Sequence, residues 1–281
     1  MVSPNLFWEV IGESVQGASH CRSGVVNQDN IYWHPESASS DTVMLAVSDG
    51  HGSPRCFRSD WGAWFAVKAA IGSLKRIIFD PDTRQSLLNI RQTAKDRLPH
   101  DITMRWRRSV ESHFNVYPFS ESESQILKDH SHFYAYGATV ISVCITPWFI
   151  LYNQLGDGDI LTVSAKGEVG RPLPADTRLF ANETTSLCAE HAWADFCFLV
   201  QTDVDNFPDM ILLSTDGYAN SFQDDSGFMK AAQDVWEMLR SEGRDYVRNH
   251  LEEWLNETSE GGSGDDITVG LIIPSINRVF A

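Results

Sequence analysis

The sequence predicts an antiparallel α+β fold, and two observations support this prediction. Short apolar runs rich in β-branched residues are typical of strands, and they lie in blocks along the chain. Long helical patterns lie in pairs between these blocks. Strict alternation of strand and helix is absent, which disfavours a doubly wound parallel sheet. We therefore expect one domain over residues 1–281, with helices covering the faces of antiparallel sheets.

Each predicted strand is a short, mostly apolar run bounded by turn-forming residues. Pro147 separates two of these runs, which predicts a tight hairpin between them. In chain order, the predicted strands cover residues 42–48, 138–146, 148–154, 160–164, 195–200, 210–215 and 267–273.

Helical periodicity predicts two pairs of helices. The first pair covers about 55–79 and 83–113, and the second pair covers about 225–240 and 243–256. Polar, Gly- and Ser-rich composition predicts loops at 36–41, 115–124 and 257–266.

Composition argues against several classes of partner. The chain has 281 residues, a formal net charge of −16 and 42 % hydrophobic residues. This charge argues against nucleic acid or an anionic membrane as a partner, because phosphate binding needs clustered Lys and Arg. The short basic run at 105–108 is interpreted as a solvated helix face. Without a visible signal peptide, an apolar span of roughly 18 residues or a CxxC pair, we expect a soluble, cytoplasmic, reduced protein.

Acidic residues stand at the tips of four predicted strands. Asp49 follows "MLAVS", Asp216 follows "ILLST", Asp157 follows "YNQLG", and both Asp265 and Asp266 precede "ITVGLII". Each case alone is ordinary turn chemistry. If the tips converge, however, each carboxylate pair repels by roughly 4 kcal/mol at an effective dielectric near 20. The pattern therefore indicates a site that gathers cations.

The ligand types indicate which cations. No paired His or Cys accompanies these acids in the sequence, and all-oxygen ligation favours Mg²⁺ or Mn²⁺ over zinc or copper. Two such ions bridged by one carboxylate can activate a water and clamp a phosphoryl group for in-line displacement. The strand-tip acids therefore predict a centre suited to phosphoryl transfer.

Six segments, in order along the chain, resemble the PPM, or type-2C, family of metal-dependent serine/threonine protein phosphatases. A lone Asp-Gly-His-Gly would be a weak signal, but six ordered segments are a strong one. The opening "GASHCRSGVVNQD" and the later "FANETTSL" are similar to a bacterial branch of the family. The matching segments are "RSGVVNQD" (22–29), "VSDGHG" (47–52), "YGATV" (136–140), "LGDGDI" (155–160), "STDG" (214–217) and "GDDITV" (264–269).

The resemblance implies a four-layer α-β-β-α sandwich of two antiparallel sheets flanked by paired helices. It also implies a single PPM-type domain with a flap-like segment at about 165–195 beside the active site. The implied cofactors are two ions, Mn²⁺ or Mg²⁺.

The resemblance also assigns the metal ligands. Asp49 would bridge the two ions, and the carbonyl of Gly50 would bind one of them. Asp216 and Asp265 would complete the shell of the other ion. Asp29 would act through waters bound to the ions.

His51 corresponds to the residue to which eukaryotic members of the family assign general-acid work. An imidazole that titrates near neutral pH beside the ions is suited to protonate the leaving alkoxide. The alternative is a histidine that only forms hydrogen bonds within the turn.

Several positions depart from the family pattern. Gly24 stands where the phosphate-binding arginine usually lies, so Arg22 is the candidate for that role, with an ordinary surface arginine as the alternative. Gln28 replaces an acid that often precedes Asp29. Asn220 replaces an aspartate that helps bacterial relatives bind a third ion, which argues against a third ion here.

The hairpin and the flap-like segment complete the assignments. Asp157 and Asp159 belong to a hairpin whose role in the family is mostly structural, so we leave both out of the ligand set. Arg171, Arg178 and Thr184 in the flap-like segment either contact substrate or pack the loop.

The function predicted from these residues is hydrolysis of phosphoserine and phosphothreonine in proteins by a metal-activated water, without a covalent intermediate. A phosphorylated protein is the expected partner, with no nucleic acid and no membrane. One alternative is a pseudophosphatase that binds partners, against which the presence of Asp49, Asp216 and Asp265 argues. The other is a phosphatase of small phosphorylated molecules.

Overall fold

Two antiparallel five-stranded sheets form the centre of the computed structural model, which describes residues 6–36, 39–80, 86–174 and 185–275. In spatial order, the first sheet contains β1 (Trp8–Val15), β10 (Ile267–Pro274), β9 (Met210–Ser214), β6 (Asp159–Val163) and β7 (Val169–Gly170). The second contains β2 (Asn30–His34), β3 (Val43–Ser48), β4 (Val140–Ile145), β5 (Ile150–Leu155) and β8 (Cys197–Gln201).

Helices cover the outer face of each sheet. The second sheet is covered by α2 (Ser59–Ile78), α3 (Leu87–Asp96) and α4 (Leu98–Val116). The first is covered by α7 (Asp225–Ser241) and α8 (Arg244–Gly261). The shorter helices are α1 (Ala18–Ser23), α5 (Glu121–Leu127) and α6 (Asp216–Ala219).

The layers enclose three apolar cores. The core between the two sheets contains Leu45, Val143 and Leu213, all fully buried. A second core lies between the second sheet and α2 to α4, and a third lies between the first sheet and α7 and α8. This arrangement is the four-layer α-β-β-α sandwich that the family resemblance implies, so the predicted fold class is confirmed.

The predicted strands are present, and two further long strands were missed. Both β1 and β2 are edge strands, which pair on one side only. In β1, polar Glu9 and Glu13 interrupt the apolar pattern, and every residue of β2 is only partly buried. An edge strand needs no continuous apolar run, so neither segment carries the signal on which the prediction depended.

The helix boundaries differ from the prediction at three places. The helix expected over 83–113 is divided at Arg97, because Pro99 lacks the N–H of a helix interior and fits the first turn of α4. Residues 257–261, predicted as loop, continue α8. Ser120, also in a predicted loop, forms a capping box with Glu123 that begins α5.

The basic run at 105–108 lies on α4, where two of its arginines contact protein groups and Arg108 is exposed. Arg105 pairs with Asp101, and Arg107 donates to the backbone carbonyls of Ala189 and Glu190. No helix in the described ranges has the length and apolar character that crossing a bilayer requires.

Candidate metal centre

The ends of strands from both sheets bring three acidic side chains together. Asp49 directly follows β3, Asp157 lies in the turn between β5 and β6, and Asp216 begins α6 after β9. One carboxylate oxygen from each residue lies within 4.8 Å of the others. The expected convergence of strand-tip acids is therefore present for these three.

In this cluster, burial and the charges of neighbouring carboxylates raise the pKa values of the acids. Burial raises the pKa of Asp49, and the nearby Asp29 and Asp216 raise it further. Burial, followed by the charge of Asp157, raises the pKa of Asp216 to about 6. Without cations, the cluster is thus driven toward protonation.

The motif "YGATV" holds the backbone of Asp49 in place. Thr139 Oγ1 accepts a hydrogen bond of 3.0 Å from the Asp49 N–H, and the Thr139 N–H donates to the Asp49 carbonyl at 2.8 Å. Gly50 is buried where a Cβ would lie 2.6 Å from the carbonyl oxygens of both Gln28 and Ser59. Only glycine fits this close approach, which explains its position after Asp49.

Asp29 is near Asp49 and is only 5 % exposed. Its Oδ2 accepts a hydrogen bond of 2.6 Å from Thr215 Oγ1. Burial raises the pKa of Asp29 well above its ordinary value, the Thr215 hydrogen bond opposes this, and the charge of Asp266 raises it further. Asp29 therefore interacts electrostatically with neighbouring acids, while Thr215 holds its carboxyl.

Asp265 and Asp266 form a second group with His20, a residue that none of our assignments included. Asp266 is buried, whereas the Asp265 side chain is about half exposed. The charge of Asp265 contributes to the raised pKa of Asp216, so the two groups are electrostatically coupled. Folding thus places the imidazole of His20 next to Asp265 and Asp266, although no histidine lies near them in the sequence.

His51 continues the turn after Asp49. Its backbone N–H donates to the Gly137 carbonyl at 3.0 Å, and its ring packs so closely that a Cβ on Gly137 would lie 2.7 Å from Cδ2. Its ring nitrogens form no hydrogen bond with the described residues. Burial lowers the pKa of His51, and the charge of Asp157 partly opposes this shift.

The candidate arginines occupy different settings. Arg22 is exposed on α1, and Gly24 ends that helix in the left-handed conformation, with φ at 74°. An arginine at position 24 would be strained there, which explains the departure from the family pattern. Arg171 is engaged by Asp159 at 2.6 Å and by Asp225 through both terminal nitrogens.

Other predicted contacts of the flap-like segment fall outside the described residues, namely those of Arg178 and Thr184. Asn220, which stands at the third-ion position, donates its amide to Asp216 Oδ2 at 3.0 Å.

The family resemblance led us to leave Asp157 out of the ligand set. The structure places Asp157 with Asp49 and Asp216. The signal was present, because Asp157 follows a strand and a glycine like the other strand-tip acids. The donor set of this cluster is entirely carboxylate oxygen, and its raised pKa values show that positive charge would stabilise the ionised acids. The described residues therefore fit hard divalent ions.

Among the solved structures that are similar to this chain, three serine/threonine phosphatases serve as examples. The catalytic domain of serine threonine protein phosphatase PstP, in complex with two manganese ions, is 15 % identical with a TM-score of 0.57, covering 95 % of this chain and 98 % of that chain. The S. agalactiae serine/threonine phosphatase is 18 % identical, with a TM-score of 0.57 and coverage of 95 % and 100 %. Stp1 from Staphylococcus aureus is 14 % identical, with a TM-score of 0.60 and 95 % of each chain covered.

A comparison with curated proteins gave no match. A comparison with family models shows the family of the chain as well as its fold. The family model for protein phosphatase 2C matches residues 16–256, most of the chain. The chain therefore belongs to the protein phosphatase 2C family, the PPM-type protein phosphatases that its motifs indicated.

Proposed function

We propose that this protein hydrolyses phosphoserine and phosphothreonine in proteins by direct attack of an activated water on phosphorus. The observation that supports this most is the group of Asp49, Asp157 and Asp216, whose carboxylates lie within 4.8 Å of one another. Such a group gains stability from divalent cations, and PstP, which shares the fold, binds two manganese ions.

Asp49 would hold both ions, with Gly50 contributing its carbonyl to one of them. Asp216 and Asp265 would hold the other, and Asp157 would extend the anionic group. Bound Mn²⁺ or Mg²⁺ would supply a nucleophilic water at neutral pH and neutralise the phosphoryl oxygens.

The chain's own groups orient the rest of the reaction. Asp29, fixed by Thr215, would orient waters bound to the ions. His51 would give a proton to the leaving seryl or threonyl oxygen, because its ring nitrogens are not engaged by the described residues. Arg22 would bind phosphate oxygens through its planar guanidinium.

The substrate class rests on the family and on structural relatives whose names specify serine/threonine phosphatases. The proposed partner is therefore a phosphorylated protein. The charge of −16 supports this over nucleic acid as a partner.

A metal-dependence assay on phosphopeptides, phosphometabolites and p-nitrophenyl phosphate tests the proposal. We expect phosphopeptide hydrolysis with Mn²⁺ or Mg²⁺, none with chelator, and none in Asp49→Asn. This variant should keep its fold, because asparagine removes one charge from a repulsive group. Full turnover by metal-stripped Asp49→Asn, at the rate of the metal-loaded wild type, would refute the two-ion centre.

The assay panel also separates the two alternatives. A pseudophosphatase would hydrolyse none of the substrates at any metal concentration. Hydrolysis of phosphometabolites without hydrolysis of phosphopeptides would identify a small-molecule phosphatase.

A further inference from the structure

The imidazole of His20 lies between two carboxylates of the turn that precedes β10. Its Nδ1 is 2.9 Å from Asp266 Oδ1, and its Nε2 is 3.7 Å from Asp265 Oδ1. The first contact is a hydrogen bond, whereas the second is too long to be one. The two ring nitrogens therefore have different partners and different roles.

Asp266 determines which nitrogen carries the proton. Besides its contact with His20, its carboxylate accepts the Gly17 N–H at 2.6 Å and the Gln28 N–H at 2.7 Å, and an ionised carboxylate can only accept hydrogen bonds. Nδ1 is accordingly the N–H that donates to Asp266. In the neutral ring, this leaves the lone pair on Nε2, on the side of Asp265.

The hydrogen bond from Nδ1 to Asp266, with the Nε2 lone pair left over, matches the arrangement of histidines that bind metal ions. In metal sites, a ligating imidazole commonly donates its other N–H to a carboxylate, which fixes the tautomer and the ring orientation. Ligand atoms about 2.1 Å from one ion can be separated by up to roughly 4.2 Å, so the 3.7 Å between Nε2 and Asp265 Oδ1 suits a shared ion.

The backbone holds His20 at this place. Ala18 N–H donates to Ser259 Oγ at 3.0 Å, and Ser19 N–H donates to the Gly264 carbonyl at 2.8 Å. A Cβ on Gly17 would lie 2.4 Å from the carbonyl carbon of Asp265, so α1 can approach the turn only with glycine there. Asp265 Oδ1 is itself fixed by the Asp266 N–H at 2.9 Å. Both candidate ligands are thus oriented before any ion binds.

We propose that His20 Nε2 is a nitrogen ligand to the ion held by Asp265, with Asp266 as the group that orients the imidazole. The proposal rests on the proposed function only in requiring that Asp265 holds an ion. A nitrogen ligand distinguishes this ion from one bound by oxygen alone. Imidazole favours Mn²⁺ over Mg²⁺, so the site should discriminate between these two ions.

Electron spin echo spectroscopy of the metal-stripped protein, titrated with Mn²⁺ to two equivalents, tests the ligand directly. We expect ¹⁴N modulation from a coordinated imidazole in the wild type, and a change to the ¹⁵N pattern when histidine is ¹⁵N-labelled. The modulation should disappear in His20→Gln and persist in His51→Gln, the matched control beside Asp49.

Calorimetric titration gives a second readout. His20→Gln should weaken Mn²⁺ binding at one site by roughly 10- to 100-fold and Mg²⁺ binding much less. The ¹⁵N-labelled wild type requires no substitution, so the proposal stays testable even if His20→Gln does not fold.

Two results would overturn the proposal. One is the absence of nitrogen modulation in wild-type protein with two bound Mn²⁺ ions. The other is modulation that persists in folded His20→Gln, which would leave His20 as a structural ion-pair partner. Neither result bears on phosphopeptide hydrolysis. Conversely, absence of phosphatase activity in a protein that shows His20 coordination would refute the proposed function alone.

Discussion

Thr215 Oγ1 donates a hydrogen bond of 2.6 Å to the buried carboxyl of Asp29. The same oxygen accepts a hydrogen bond of 3.0 Å from the Thr268 N–H. One hydroxyl therefore joins three motif segments that are far apart in the sequence, at 22–29, 214–217 and 264–269. It also stabilises the ionised form of Asp29, whose pKa burial raises.

Thr215→Val should destabilise the protein while preserving the volume of the side chain. It leaves the buried Asp29 carboxyl and the Thr268 N–H without their shared partner, which costs roughly 1–3 kcal/mol of unfolding free energy. Denaturant unfolding measures the loss. Thr215→Ser keeps the hydroxyl and should retain most of the stability, so an equal loss in both variants would contradict a role for the hydrogen bond.

His51→Gln should reduce turnover of a phosphopeptide by about 10²–10⁴-fold, because the leaving alkoxide needs a proton. The loss should be much smaller for p-nitrophenyl phosphate, whose leaving group is stable without protonation. Steady-state kinetics on both substrates measure the difference. Equal losses on the two substrates would instead identify His51 as a histidine that only supports the turn.

Arg22→Ala should mainly raise KM, because the guanidinium would bind phosphate in both the ground state and the transition state. Arg22→Lys should restore little, since a point charge does not reproduce the planar fork. Arg108→Ala, which removes an exposed arginine of α4, is the matched control and should leave the kinetics unchanged.

The position of Arg22 on α1 argues against its role, so the substitution tests the assignment strictly. His20 faces the acids. Arg22 follows His20 by two residues, so its side chain leaves the helix about 200° around the axis, on the side away from the acids. Unchanged kinetics in Arg22→Ala, together with a raised KM in Arg178→Ala or Arg171→Ala, would transfer phosphate binding to the flap-like segment.

Asp216→Asn should stabilise the metal-free protein at pH 7 by roughly 1–3 kcal/mol. Burial and Asp157 raise the pKa of Asp216 from 3.8 to about 6, so the folded state holds this proton more tightly than the unfolded state. The stability from this group is fully present below pH 3.8 and is lost as the pH rises through about 6. The advantage of the variant should therefore shrink toward pH 4.

Thermal unfolding in chelator at several pH values measures this difference. Saturating Mn²⁺ provides the internal control, because it should stabilise the wild type more than Asp216→Asn at pH 7. A variant less stable than the metal-free wild type at pH 7 would contradict the repulsion between Asp216 and its neighbours.

Local pattern determined much of the fold. Buried strands such as β3 and β9 consist of consecutive apolar residues, and the acids at their ends are adjacent to them in the chain. Such features depend on neighbouring residues, so the sequence predicted the strands, the helix pairs and the acids Asp49 and Asp216. Edge strands β1 and β2 lacked this signal. Each forms through hydrogen bonds to one neighbouring strand and is not buried on both faces, so its sequence needs no continuous apolar run.

Only the tertiary structure decided which acids meet and what joins them. Asp157 belongs with Asp49 and Asp216 because β3, β5 and β9 end at one place, which depends on sheet pairing across long stretches of chain. His20 reaches Asp265 and Asp266 across more than two hundred residues because hydrogen bonds dock α1 on their turn. The sequence by itself determined the family and the residue types of the site, since these lie in short contiguous motifs. The composition of each ligand group was decided by folding, because a contact between distant residues leaves no local pattern.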